Sequence, residues 1–186
     1  MNAAPLRDPS LEVAITLRLV SLPEYERLVP DLIEGLREVV NSGASLGFLA
    51  PVAYHDSRAY WMSIRGEIWS GSRLLVAAFS GKRLVGSGQL ALSPWPNSRH
   101  RAEIQKVFVT GEWRGRGVGR LLLAALHDTA RARGRSLVHL STHHGGTAER
   151  FYKHMGYTQA GLLPGFAVGQ DGDRRTLVTL YRELSP

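Results

Sequence analysis

EIQKVFVTGEWRGRGVGR, at residues 103–120, is the segment from which the fold of this 186-residue chain can be argued. Its first seven residues are rich in β-branched and aromatic side chains and end at Thr110-Gly111, which predicts a strand over 103–109. Apolar residues then recur at helical spacing from Val118 to Thr129, which predicts an amphipathic helix over 118–133. A glycine-rich basic loop therefore joins a strand to the N-terminus of a helix.

This loop predicts an anion-binding site. Glycines allow successive backbone N–H groups to turn toward one point, and the first helical turn adds unpaired N–H groups and a partial positive charge. Arg114 and Arg116 add whole positive charges. A phosphate or pyrophosphate is the natural ligand, and a glycine-rich turn without a ligand is the alternative.

Two common phosphate motifs do not fit the spacing. A dinucleotide-binding fingerprint needs glycine where this chain has Arg120, and a Walker A loop needs Gly-Lys-Ser or Gly-Lys-Thr, which is absent. The segment instead resembles motif A of the GNAT superfamily of acetyl-CoA-dependent N-acetyltransferases. That motif, Arg/Gln-x-x-Gly-x-Gly/Ala, holds the coenzyme A pyrophosphate, and Arg114, Gly117 and Gly119 fill it.

The composition indicates one folded α/β domain. The chain is 44% hydrophobic and 21% charged, its N-terminus lacks the features of a signal peptide, and no apolar run approaches a membrane span. Cysteine is absent, which excludes disulfides, thiolate metal sites and a cysteine nucleophile. We predict a cytoplasmic protein with a flexible polar tail at residues 1–11 and one acetyltransferase-like domain at 12–186.

The net charge of +7 is a feature of many nucleic-acid-binding proteins. Here the arginines concentrate in the glycine loop and at the end of the following helix, where a ligand with several phosphates would explain them. The chain shows no basic patch interleaved with aromatic residues, so we predict no nucleic-acid partner. We also predict no membrane partner and leave a homodimer open.

The rest of the chain supplies further strands and helices. Val13 to Val20 predicts a first strand, and Ser21 with Glu24 forms a capping box for a helix that Pro30 should kink or split. Asp56 should cap a second helix that carries an apolar stripe. The stripe contains Tyr60, Trp61, Ile64, Ile68 and Trp69; further strands are predicted at 74–79, 84–92, 137–142, 158–163 and 177–181, and a last helix at 147–155.

The order of these elements, β-α-α-β-β-β-α-β-α-β-β, is similar to that of the GNAT fold. Residues 147–157, TAERFYKHMGY, resemble the family pattern A-x-x-(Phe/Leu)-Tyr-x-x-x-Gly-(Phe/Tyr), and with 102–106 and 163–166 they are similar to the subgroup containing the tabtoxin-resistance acetyltransferase. The resemblance implies an α/β (α+β) fold: a single mixed, mostly antiparallel twisted sheet of about seven strands with helices on both faces. The fourth and fifth strands should be parallel and splayed, joined by a right-handed crossover.

The resemblance implies an enzyme that transfers the acetyl group of acetyl-CoA to a primary amine of a small molecule, with antibiotic or toxin resistance as one open role. The alternatives are an acyl-CoA-binding module without catalysis and a protein or peptide N-acetyltransferase. The non-catalytic alternative is consistent with two departures from the family pattern: Ser141 stands in place of an acidic residue, and Gly145 in place of an asparagine. Without a cysteine nucleophile, acetyl transfer should occur directly in a ternary complex.

Acetyl transfer needs a base for the ammonium proton, an acid for the departing thiolate and a group that polarises the thioester carbonyl. The resemblance implies that Glu103 is the base, with an exposed carboxylate or a salt-bridge partner as its alternative, and that Tyr152 is the acid, with a buried structural tyrosine as its alternative. It also implies that the backbone near Val107 polarises the carbonyl and that Val109 pairs with the pantetheine amides. The implied cofactor contacts are Val107, Phe108, Val109, Arg114, Gly115, Arg116, Gly117, Val118, Gly119, Arg120 and Tyr152, and the implied substrate contacts are Glu103, Ser141, His143 and Phe166.

The histidines do not indicate a metal site. His143 and His144 are adjacent, and adjacent side chains on an extended segment point in opposite directions. The chain also lacks an HExxH motif, so we predict that no metal is bound.

Overall fold

The computed structural model describes residues 14–185, in which seven strands form one sheet flanked by five α-helices. The predicted tail at residues 1–11 and the predicted start of the first strand at Val13 lie outside these residues. The strands are β1 (Ile15–Leu19), β2 (Arg73–Ser80), β3 (Arg83–Leu92), β4 (Arg101–Val109), β5 (Leu137–His143), β6 (Thr158–Val168) and β7 (Arg174–Glu183). The helices are α1 (Leu22–Asn41), α2 (Tyr54–Ser63), α3 (Arg65–Ser70), α4 (Val118–Ala132) and α5 (Thr147–His154).

The sheet confirms the predicted fold class. Its order is β1-β2-β3-β4-β5-β7-β6, and all neighbouring strands are antiparallel except β4 and β5. These two strands pair in parallel only from Arg101–Leu137 to Glu103–His139, although both continue well beyond these residues. The strands therefore separate toward their C-terminal ends, as predicted, and leave a gap in the sheet.

Each face of the sheet carries its own apolar core. On β2, Leu74, Val76 and Ala78 pack in the cluster that contains α4 and α5. The alternate residues, Leu75, Ala77 and Phe79, pack in the cluster that contains α1, α2 and α3. This alternation follows from the period of two along a strand, and it explains why the centre of the sheet has an almost wholly apolar sequence.

Helix α1 has the predicted capping box, in which Glu24 accepts the Ser21 N–H at 3.0 Å. The predicted split at Pro30 does not occur, because α1 runs through Pro30 as one helix. Pro30 leaves the carbonyl group of Glu26 without its helical donor. Both residues are exposed, so water can serve that carbonyl group.

Three other predictions need correction. The second helix begins after Ala53, so Asp56 lies in its first turn and does not cap it. Trp69 is 75% exposed and lies outside the buried stripe of this region. Strand β6 extends to Val168, through Pro164; this is tolerated because β6 is an edge strand whose register shifts between Leu163 and Ala167.

Strand β4 contains a bulge that positions the site. Two of its residues, Lys106 and Val107, oppose the single residue Gly88 of β3, and Lys106 has a left-handed φ of 48°. Before the bulge, Ile104 packs with α4; after it, Phe108 packs with α1. The bulge thus reverses which face of the sheet the following side chains occupy.

We expect one buried histidine to make stability depend on pH. His127 of α4 meets the hydroxyl of Tyr157 at 2.8 Å; burial, and then the charges of Arg182 and Arg131, lower the pKa of His127 to about 4 from 6.5. Because the unfolded chain takes up this proton more readily, the stabilisation is fully present above pH 6.5 and is lost as the pH falls toward 4. The free energy of unfolding should fall by at most ~1.4 kcal/mol per pH unit from this group.

Urea denaturation at several pH values between 7 and 4 measures this slope. The variant His127→Gln should lose the part of the slope that His127 contributes. The same slope in the variant and in the wild type would contradict the assignment.

Candidate active site

The gap between β4 and β5 exposes one edge of β4. The N–H of Thr110 donates to the carbonyl group of Val85 at 3.0 Å, which makes Val109 and Gly86 a pair without mutual hydrogen bonds. The backbone groups of Val109 therefore face away from β3 and toward the gap. Its carbonyl group accepts the Nε–H of Arg114 at 3.1 Å, which leaves its N–H to meet a ligand.

The loop before α4 provides a row of backbone donors. Gly115 and Gly117 have left-handed φ values of 74° and 82°, and no side chain caps the helix at Gly117. Within residues 14–185, the five N–H groups from Gly115 to Gly119 donate to no protein carbonyl group or side chain, whereas those of Arg120 and Leu121 donate to the carbonyl group of Gly117. These donors lie at the positive end of a 15-residue helix, where an anion is stabilised.

The arginine side chains of the loop are used differently. The guanidinium group of Arg114 turns back and also donates to the hydroxyl of Ser42 at 3.2 Å, so it joins the end of β4 to the end of α1. Arg116 lies 5.2 Å above the ring of Trp113, and Arg120 is exposed. The donors available to an anion at this loop are backbone N–H groups, with the charge of nearby arginines around them.

The side chain of Phe108 lies in the apolar core, and its part in the cofactor site stays a prediction. Its side chain is 4% exposed and packs in the core of α1, where an added Cβ on Gly35 would lie 2.8 Å from its ring. Hydrogen-bonded and non-hydrogen-bonded pairs alternate along an antiparallel ladder, and the pair of Val109 with Gly86 is non-hydrogen-bonded. The backbone of Phe108 is therefore hydrogen-bonded to Ser87 of β3. The bulge at Lys106 therefore turns Phe108 away from the gap.

Tyr152 lies in α5 on the α4 side of the sheet. It is 8% exposed, and its ring packs edge-on against Phe151 and Tyr157 with centroids 5.3 and 5.5 Å away. Burial raises the pKa of Tyr152, and its hydroxyl donates to no group within residues 14–185. A phenol that stays protonated at neutral pH and has an unused donor is suited to the role of an acid.

Glu103 lies where β4 and β5 separate. Its neighbours Ala102 and Ile104 pack with α4, so Glu103 faces the opposite side of the sheet, toward α1 and α2. The residue is half-buried. Burial lowers the pKa of His139, and the negative charge of Glu103 opposes that shift.

The predicted substrate contacts are only partly brought together. On β5, Val138 and Leu140 pack with α4, which places Ser141 and His143 on the same side of the sheet as Glu103. The hydroxyl of Ser141 lies 3.2 Å from that of Thr179 on β7. Phe166 lies on the edge strand β6, separated from β5 by β7, and is 63% exposed.

Gly145 takes part in a buried carboxylate site that sequence reasoning missed. Gly145 has a left-handed φ of 77°, and its N–H donates to Glu149 at 2.5 Å. Glu149 also pairs with Lys153 at 2.7 Å and with His144 at 3.1 Å. The hydrogen bond from Lys153, followed by that from Gly145, lowers the pKa of Glu149. This site ties the end of β5 to the start of α5, where the family pattern has asparagine.

Sequence reasoning also missed a polar group on the α1–α2 side. The guanidinium group of Arg73 donates to Glu67, Gln89 and Gln105 at 2.9, 2.9 and 2.6 Å. The hydroxyl of Tyr60 donates to Gln89 at 2.7 Å, and burial raises the pKa of Tyr60 to about 12. The available signal was the occurrence of Gln89 and Arg73 in otherwise apolar strands.

A cleft lies above this polar group. Its volume is about 530 Å³, and its lining is mostly apolar. The side chain of Gln170 in the β6–β7 turn accepts the N–H of Ala50 at 2.7 Å, so this turn meets the loop that borders the cleft. The lining residues are Gly47, Phe48, Leu49, Val52, Asp56, Ala59 and Tyr60.

Residues 14–185 show neither a cluster of metal ligands nor a membrane-spanning helix. The side chains of histidine, aspartate and glutamate form no group of three or more that could hold a metal ion. No helix in this part of the chain is long and apolar enough to cross a membrane.

Known proteins resemble this chain in sequence and in fold. Residues 70–159 match the family model for the acetyltransferase (GNAT) domain. The chain is 36% identical over 105 residues to N-alpha-acetyltransferase 80 of Mus musculus, and the match covers 56% of this chain. It spans only about a third, 32%, of the length of that relative.

Two solved structures share the fold. A candidate phosphinothricin N-acetyltransferase has a TM-score of 0.73 at 24% identity, over 93% of this chain and all of that one. The acetyltransferase yncA of Salmonella typhimurium, solved with its cofactor acetyl-CoA, has a TM-score of 0.70 at 17% identity, over 93% of this chain and 95% of that one. Neither comparison confirms the subgroup of the tabtoxin-resistance acetyltransferase. The solved structures show that the chain has the GNAT fold, and residues 70–159 are similar to the GNAT acetyltransferase domain.

Proposed function

We propose that this protein transfers the acetyl group of acetyl-CoA to a primary amine of a small molecule. The proposal rests on the row of five N–H groups from Gly115 to Gly119, which have no partner within residues 14–185 and lie next to the gap between β4 and β5. Backbone donors at a helix N-terminus suit a pyrophosphate, and an unpaired strand edge suits a ligand with amide groups. The match to an acetyltransferase domain supports acetyl-CoA as the cofactor.

In this proposal the residues of the loop and of β4 hold the cofactor. The N–H groups from Gly115 to Gly119 bind the pyrophosphate, and Arg116 and Arg120 add positive charge around it. The Val109 N–H donates to the pantetheine arm in the gap, and the backbone near Val107 lies beside the acetyl group. When bound, acetyl-CoA supplies an activated acetyl group.

Two side chains on opposite faces of the sheet then move protons. Glu103, on the α1–α2 face, takes the proton of the acceptor ammonium, directly or through water, so that the free amine can attack the carbonyl carbon. Tyr152, on the α4–α5 face, donates its proton to the sulfur as the carbon–sulfur bond breaks. The nitrogen then loses its second proton to solvent, Tyr152 regains a proton from solvent, and the products are the N-acetylated amine and coenzyme A. The placement of a carboxylate and an unused phenol on opposite faces of the sheet supports these roles.

A protein or peptide N-terminus is a second candidate acceptor. The name of the mouse relative specifies an α-amine, and that relative is 36% identical over the matched region. The small-molecule acceptor is favoured by the name of the candidate phosphinothricin N-acetyltransferase, whose structure aligns with 93% of this chain.

An acceptor panel tests both candidates and the non-catalytic alternative. The purified protein is mixed with acetyl-CoA and either free amines or short peptides, and the masses of the acceptors are measured by mass spectrometry. We expect a mass gain of one acetyl group on free amines. Acetylation of peptides alone would replace the first candidate by the second. Binding of acetyl-CoA without any turnover would support a module that lacks catalysis.

The cofactor site predicts a marked effect at Gly117. A valine at this φ of 82° is strained, so Gly117→Val should displace the N–H groups of the loop and weaken acetyl-CoA binding by about tenfold or more. Arg116→Ala should weaken it less, because that side chain lies over Trp113. Calorimetric titration with acetyl-CoA measures both effects.

Gly134→Val is the matched control for Gly117→Val. Gly134 also has a left-handed φ, 67°, but it lies beyond the C-terminal end of α4, at the opposite end of that helix from the loop. The control should lose stability without losing affinity for acetyl-CoA. Equal affinity in Gly117→Val and the wild type would reject the assignment of the loop.

The two proton-transfer roles predict different pH profiles. Glu103→Gln should lower kcat mainly at low and neutral pH, where free amine is scarce, and part of the loss should return as the pH approaches the pKa of the amine. Tyr152→Phe should lower kcat on the order of a hundredfold without such recovery, because it affects only the leaving group. Steady-state rates from pH 6 to about 10 distinguish the two. Matching profiles for the two variants would show that these roles are wrongly assigned.

A further inference from the structure

Lys106 reaches from the bulge of β4 to the wall of the cleft. Its Nζ donates to the carbonyl group of Leu46 at 2.6 Å and lies 5.0 Å from the ring centroid of Tyr60 and 5.5 Å from that of Phe48. A Cβ added to Gly47 would lie 3.0 Å from the same Nζ. Because Gly47, Phe48 and Tyr60 all line the cleft, the ammonium group lies next to this part of its wall.

This ammonium group has unused donors. An ammonium carries three N–H donors, and within residues 14–185 only the carbonyl group of Leu46 accepts from Lys106. No carboxylate oxygen of this part of the chain lies within 4.0 Å of it, although ten other ion pairs are present. Burial, followed by the charge of Arg73, lowers the pKa of Lys106, and Glu103 opposes this. A half-buried cation of this kind is stabilised by an anion that takes up its free donors.

Within residues 14–185, the other charged groups near the cleft form no ion pair with Lys106. Arg73 is already paired with Glu67 at 2.9 Å. Asp56 lines the cleft, but its side chain is 55% exposed and lies 3.2 Å from His55, so solvent screens its charge. Glu103 lies on the same strand as Lys106, three positions earlier, and faces the same side of the sheet.

We propose that Lys106 binds a carboxylate group of the acceptor, which makes the protein selective for amines that carry a carboxylate, as amino acids do. This inference rests on the proposed acetyl transfer, since it places the amine of the same molecule at Glu103. The anion is bound by the remaining N–H donors of the ammonium group at the wall of the cleft. The apolar lining contributed by Leu49, Val52 and Ala59 suits an apolar side chain on that amino acid.

Paired acceptors isolate the carboxylate. Methionine and phenylalanine are each compared with the amine obtained by removing the carboxylate group, and kcat/KM is measured for the wild type and for Lys106→Met. The substitution Lys106→Met keeps the length of the side chain and removes its charge, and the new thioether packs well against aromatic rings. The kcat/KM of Lys106→Met is divided by that of the wild type for each acceptor separately. The difference in amine pKa between acceptors therefore does not affect the comparison.

We expect Lys106→Met to lower kcat/KM for the two amino acids by about tenfold to a hundredfold, mainly through KM, because it removes a charge-assisted contact. For the amines without a carboxylate, the change should stay within about twofold. Lys106→Arg should retain part of the preference. Lys82→Met is the matched control, because Lys82 is exposed in the β2–β3 turn, and it should change neither class.

The outcomes separate this inference from the proposed function. Equal losses for both classes, or no loss for either, would overturn the role of Lys106. If the wild type acetylates only amines without a carboxylate, the inference fails and the acetyltransferase function stands. If no free amine is acetylated, the proposed small-molecule function fails. Calorimetry with N-acetylmethionine in the presence of coenzyme A then tests Lys106 by itself: weaker binding to Lys106→Met supports the site, and equal or absent binding to both proteins overturns it.

Discussion

The site depends on where the hydrogen bonds between β4 and β5 stop. They extend over three residue pairs, from Arg101 to Glu103 on β4, after which both strands continue without hydrogen bonds between them. Backbone N–H and C=O groups in a sheet need partners, so an unpaired edge in the middle of a sheet is a place where water or a ligand must bind. The gap in the sheet, the exposed backbone of Val109 and the position of Glu103 at the point of separation all follow from this early end of the pairing.

Much of this arrangement could be predicted because its signals are local. The glycines at 115 and 117 and the period of α4 predicted a strand, a loop and a helix in the right order, and the structure shows left-handed backbone at both glycines. The fold class and the splayed pair of strands followed from the family resemblance, and the structure confirms both. The role of Arg114 was harder to anticipate, since its guanidinium group serves Val109 and Ser42 and not the loop.

The features that were not predicted depend on contacts between distant segments. Nothing in EIQKVFV shows that Lys106 takes a left-handed φ, because a strand with alternating side chains is an equally good interpretation of those residues. The cleft brings residues 47–60 against β4, about fifty residues later in the chain. Gly145 replaces the asparagine of the family pattern, and the sequence showed no role for it. In the structure its N–H donates to the buried carboxylate of Glu149.

The bulge of β4 also restricts how this protein can change during evolution. Substitutions along the strand alter one side chain at a time, whereas a regular strand of the same length, without the bulge at position 106, would exchange the faces of everything after it. Phe108 would leave its place in the core of α1, and Val109 would turn its backbone from the gap toward β3. The backbone conformation at position 106 is therefore a constraint on the whole second half of β4, separate from the chemistry of the side chain that stands there.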